Sequence, residues 1–127
     1  MNNEFGSVSQ IFMDKYDIIN VVFKNKGIVS KDDIIYIHDY VEYLDNKNYI
    51  LLDLVNIEGF DFNALEFSHY IGSNLYIKKI ALLCSDENIS CKYANLLTTL
   101  NNGNRFDMKP FLTVEDATEW LRLMTLY

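Results

Sequence analysis

The sequence predicts an α/β domain in the order ββαβαβαβα, one unit spanning residues 1–127, with a mixed sheet of four to five strands covered by about four helices. Three observations predict it. The runs at 18–24, 49–55 and 78–84 are short and largely apolar, as buried strands are, and the first is rich in β-branched residues. Between them, apolar residues recur three and four positions apart, the period of one buried helix face. The two patterns alternate along the chain, and such alternation builds a parallel or mixed sheet with helices packed on it through right-handed crossovers.

The elements follow in order. Residues 5–12 alternate loosely and predict a first strand, and Lys15-Tyr16-Asp17 turns the chain into a second strand at 18–24. So short a connection makes the pair an antiparallel hairpin, ended at Lys26-Gly27. Ser30 then opens a helix. Its hydroxyl is placed to accept the Asp33 N–H, and Asp32 and Asp33 favour the positive helix end. Ile34, Ile37, Val41 and Leu44 form the buried stripe of that helix, and Asn46-Lys47-Asn48 breaks it.

Residues 49–55, apolar on both faces, predict a strand in mid-sheet. Gly59 marks a turn, and Asp61 caps a second helix to about Leu75 with an inner stripe of Ala64, Phe67, Ser68, Ile71 and Leu75. After the strand at 78–84, Ser85 to Asn88 turns into a third helix with Ile89, Tyr93, Leu96, Leu97 and Leu100 inward. Residues 101–104 stop it. Residues 107–112 form the last strand, at a sheet edge because Pro110 has no N–H to donate. Thr113 caps the final helix, with Asp116 as the acidic partner and Ala117, Trp120, Leu121 and Met124 turned inward.

Composition excludes several functions. The 127 residues are 50% hydrophobic and 14% aromatic, so a core forms without metal or disulfide. The net charge of −7 opposes nucleic acid and anionic membrane surfaces. No apolar run approaches the roughly 20 residues of a membrane helix, and the first residues carry no secretory pattern, so the expected compartment is the cytoplasm. There Cys84 and Cys91 are expected to stay free as packing thiols, with no further ligands to make a metal site. No cofactor motif is present, because the glycines stand singly rather than in a phosphate loop.

The stretch Asp53 to Leu65 reads DLVNIEGFDFNAL. It resembles the signature segment of STAS domains, the family of anti-sigma factor antagonists and sulfate-transporter domains, which runs Asp-Leu and then Asp-Ser-Ser-Gly-Leu. Asp53-Leu54, Asp61 and Leu65 fall in register with it. Phe111, Val114-Glu115-Asp116-Ala117 and Trp120-Leu121 are similar to the closing pattern of the SpoIIAA-like branch. The resemblance spans about residues 17 to 122 and implies one STAS-like domain that acts by contact with proteins. Phe62 and Asn63 stand at the two Ser positions and Ala64 at the Gly. Asn63 has no hydroxyl, so the resemblance does not extend to a switch that adds phosphate charge at a helix start. The looser branch without the Ser motif is the better match, and its members resemble small lipid-carrier domains in fold.

Candidate chemistry is sparse. A general base needs a His near an orienting group; His69 has Glu66 three residues before it on the second helix, whereas the neighbour of His38 is Asp39, adjacent in sequence. Ser85, Ser90 and Cys91 lack a nucleophile elbow. Acidic pairs at helix starts answer the helix dipole rather than a metal. Two features suggest binding. Tyr36, Tyr40 and Tyr43 recur on the first helix away from its apolar stripe, a candidate interface. Phe62, Leu65, His69 and Tyr76 give the second helix a second apolar side. With Asp61 and Asn63 they form a candidate binding surface. The first expectation is a non-enzymatic interaction or regulatory module, a homodimer or docked on a protein partner. The alternative is a carrier of a small apolar or lipid-like molecule; an enzyme using His38 or His69 ranks last.

Overall fold

The hairpin is built around one carboxylate. Asp14 accepts from the N–H groups of Tyr16 (2.8 Å) and Ile18 (3.1 Å) and from the Asn20 side-chain amide (2.9 Å), while Asp17 takes a left-handed φ of 60°. This turn joins β1 (Val8–Met13) to β2 (Ile19–Phe23) in antiparallel register. The expected start at residue 5 survives only as a lone bridge between Phe5 and Val8. The structure, a computed structural model, describes residues 5–44, 49–61, 63–64, 77–102 and 106–123.

After β2 come β3 (Gly27–Val29), α1 (Lys31–Leu44), β4 (Tyr49–Asp53), β5 (Ile57–Phe60), β6 (Lys79–Leu83), α2 (Ser90–Leu100), β7 (Asp107–Phe111) and α3 (Val114–Arg122). The main sheet has five strands in the order β1-β2-β4-β6-β7. Only β1 runs antiparallel; β2, β4, β6 and β7 are mutually parallel. β4 lies in mid-sheet and the strand with Pro110 lies at an edge, as the sequence predicts. The mixed α/β fold is therefore as expected, with three helices among the described residues.

The two faces carry separate cores. Ile11, Ile19, Val21, Phe23, Ile50, Ile80 and Leu82 pack with Ile37 and Val41 of α1 and Ala94 and Leu97 of α2. On the other face Ile18, Leu51, Ala81 and Leu83 pack with Ala117 and Leu121 of α3. β6 is buried along its whole length because both faces are covered, which is why it reads as an unbroken apolar run.

Both helix starts read from Ser and Thr are present. Ser30 Oγ accepts the Asp33 N–H at 3.3 Å, and Thr113 Oγ accepts the Asp116 N–H at 3.1 Å. Several expectations are corrected. Gly59 is not a turn but part of β5, which pairs in parallel with β3 in a two-stranded sheet. Ile89 and Leu96 are exposed rather than inward, because the methyl-sized Ala94, fully buried, and Leu97 set the phase of α2 against the sheet. Cys84 and Cys91 are not free: they form a disulfide with Cα atoms 5.0 Å apart, joining the end of β6 to the start of α2. The expected second helix begins at Asn63 and Ala64; its continuation over 65–76, with Phe67, Ser68, Ile71 and Leu75, lies outside the described residues, as does Met124.

Candidate functional site

Four parallel strands send their following connections off one edge of the sheet. That carboxyl edge gathers residues 24–30 after β2, 54–61 after β4, 84–89 after β6 and 112–113 after β7. In parallel α/β sheets this is the edge where side chains are free to meet another molecule.

The β3–β5 pair covers part of the edge. Asp61 N–H donates to Val29 O (2.9 Å), and the Asp61 carboxylate accepts the Asn63 N–H (2.8 Å). The predicted cap is thus pinned to β3, with Asp61 and Asn63 exposed and Ala64 buried. Phe62, Leu65, His69 and Tyr76, the rest of the candidate binding surface, and Glu66 lie outside the described residues.

Beside it, the turn after β6 is tied by side chains. Ser90 Oγ accepts the Ser85 N–H (2.8 Å) and donates to Asn88 Oδ1 (2.6 Å), and Asn88 Nδ2 donates to Val55 O (3.0 Å). Asn88 and Ile89 form one wall of an open cleft of about 340 Å³ whose other lining includes Asn25, Lys26, Asn56 and Glu58. Sequence reasoning did not single out this amide-rich cleft, because its residues come from three connections. Ser85 and Ser90 both hydrogen-bond within this turn.

Start-of-chain residues reach the same edge. Asp33, 1% exposed, accepts from the backbone N–H and hydroxyl of both Ser7 and Ser30. Phe5 stacks on Tyr36 with ring centroids 4.7 Å apart. Of the candidate tyrosines, Tyr36 and Tyr40 are half-buried against the core, and Tyr43 is 86% exposed. They therefore do not present one continuous exposed stripe.

His38 is half-buried on α1. Its Nδ1 lies 3.4 Å from Asp39 and its Nε2 3.5 Å from Glu42. Glu42, its i,i+4 neighbour, is a partner that the adjacent Asp39 overshadows in the sequence. One ligand atom from each of His38, Asp39 and Glu42 lies within 4.8 Å of the others, on a half-buried ring and two exposed carboxylates of one helix.

Asp53 ends β4 on the α3 face, paired in register with Val22. Burial raises its carboxyl above the ordinary 3.8, opposed by the Val55 N–H that it accepts at 3.1 Å. The folded state thus holds this proton more tightly than the unfolded chain does. Its contribution favours folding below the ordinary value and is lost as pH rises through the folded value. Asp53→Asn, which keeps the acceptor for Val55, is expected to stabilise the protein at neutral pH, with the gain fading below pH 3.8. Urea unfolding at the two pH values checks this; an equal effect at both contradicts it.

No protein-family model matches the chain, and no curated protein does. Among solved structures it is similar to an uncharacterized protein of the DUF3478 family with a SpoIIAA-like fold from Shewanella loihica PV-4, at 14% identity and a TM-score of 0.64, over 95% of this chain and 98% of that one. The fold is SpoIIAA-like, in agreement with the STAS resemblance read from the sequence. No helix among the described residues is long and apolar enough to cross a membrane.

Proposed function

We propose that this SpoIIAA-like domain works by protein contact rather than catalysis, through the carboxyl edge of its sheet around Asp61 and Asn63. The observation that carries the reading is apolar surface left in the connections of that one edge. Ile28 is 60% and Leu112 59% exposed, with Ile89 and Val114 also outside the core. Exposed apolar groups rimmed by polar ones mark contact sites. The STAS resemblance supports the same place, since the signature segment ends at this helix start. Asn63 in place of the phosphorylatable Ser leaves this helix start without that phospho-switch.

Two rivals have less support. A carrier of apolar molecules needs an enclosed greasy cavity, whereas the described clefts are open to solvent. For an enzyme built on His38, the two carboxylates beside the ring are surface groups of the same helix and frame no described cleft.

A second copy of the chain is the partner to test first. Sedimentation equilibrium over a wide concentration range is expected to show a dimer, weakened about tenfold or more by Ile28→Asp combined with Leu112→Asp. A dimer unaffected by that pair and broken by Tyr43→Ala moves the surface to α1. A chain monomeric at every concentration removes self-association from the proposal.

A further inference from the structure

We propose that the Cys84–Cys91 disulfide is a thiol–disulfide exchange site, opened by a small thiol that attacks Cys91, and that opening releases the 85–90 turn that walls the carboxyl-edge cleft. The two sulfurs are unequal. Cys84 closes the buried strand β6 and is sealed in the core between sheet and helices. Cys91 is half-buried in the first turn of α2, where the positive helix end favours a thiolate. Access therefore directs an incoming thiolate to Cys91.

The first step forms a bond between the external sulfur and Cys91 Sγ and breaks the Cys84–Cys91 bond. Cys84 leaves as a thiolate and takes a proton from solvent. A second thiolate then attacks the external sulfur of the mixed disulfide, leaving as a small-molecule disulfide and freeing Cys91 as its thiolate. Two small thiols are oxidised and the protein disulfide is reduced.

The consequence is local. The bond closes residues 84–91 into a ring. Within that ring lie Asn88 and Ile89, which wall the cleft, and Asn88 is the residue that bonds across to Val55. Without the covalent closure, the turn is held by one long backbone bond, from Asn88 N–H to Ser85 O (3.4 Å), and by the side-chain bonds of Ser85, Asn88 and Ser90.

The test equilibrates the full chain in mixtures of reduced and oxidised glutathione, quenches with acid, counts by intact mass the thiols alkylated after unfolding, and reads amide hydrogen exchange on the folded chain. Two thiols are expected to appear together at one midpoint, with exchange at 85–90 about tenfold faster and β6 unchanged. A bond that survives fully reduced glutathione overturns the proposal. So do thiols that alkylate in purely oxidised glutathione, or a turn whose exchange is the same in both states. In single variants, Cys84→Ser is expected to take one glutathione on Cys91, while Cys91→Ser leaves Cys84 unmodified in the folded protein. The reverse pattern overturns the assigned point of attack.

Discussion

Asp33→Ala is expected to lower folding stability by about 3 kcal/mol, the range for removing one side of a buried charged network. The Asp33 side chain is almost wholly buried and takes N–H bonds from Ser7 (3.0 Å) and Ser30 (2.9 Å) as well as both serine hydroxyls. It therefore does two jobs: it closes the capping box of α1 and fastens the start of β1 to that helix. Alanine strands two backbone N–H donors at a site closed to water. Asn, which keeps one carbonyl oxygen, is expected to recover part of the loss.

Gly6 supplies an internal check on this account. Its φ is +53°, and a Cβ placed there runs into Asp33 Oδ1. Gly6→Ala is expected to be strongly destabilising in the parent chain and less so beside Asp33→Ala, where only the backbone strain remains. Urea unfolding of the four chains measures the coupling. A single-variant loss for Asp33→Ala below about 1 kcal/mol, the net worth of one ordinary hydrogen bond, contradicts the network.

Asp33 also shows how far the sequence is legible. The Ser30 and Asp33 pair is local, so capping rules find it. Ser7 lies 26 residues away, and nothing in its neighbourhood announces a carboxylate partner. The main strands are legible for the same reason: β4 and β6 carry apolar runs that suit a doubly covered strand, and the run in β2 is broken only by Asn20. β3 and β5 are not, because three- and four-residue strands with Gly27 and Gly59 in them have the composition of turns. Only their pairing across the chain, Ile28 opposite Gly59, makes them a sheet.

The candidate site divides along the same line. Asp61 is found by its local capping role. The exposed Ile28 and Leu112 are not, because exposure follows from which strands end at the same edge. The disulfide escaped because compartment was read from sequence, whereas the bond follows from the geometry of β6 and α2. Tyr36 looked solvent-facing by helical phase, but Phe5, from before the hairpin, stacks on it.

Lys79→Ala is expected to cost about 2–3 kcal/mol, combining lost charge-assisted bonds with lost packing of the side-chain stem. Lys79 opens β6 and is only 8% exposed. Its ammonium donates to Trp120 O (2.8 Å) and Leu123 O (3.0 Å) and lies 5.2 Å from the centre of the Trp120 ring. Those carbonyls belong to the C-terminal end of α3, which carries partial negative charge and lacks intrahelical donors. A cation from the sheet thus completes the helix that covers the sheet. Lys79→Met separates the two contributions, because it fills the space of the stem and lacks the ammonium. It is expected to fall about midway between the parent chain and Lys79→Ala. Trp120 is the single tryptophan, so its emission reports on this contact directly. Both variants are expected to shift it to longer wavelength as the final turn of α3 loosens. Parent-like stability and emission in Lys79→Met would mean that the stem alone seats α3, and the carbonyl contacts would then be incidental to the fold.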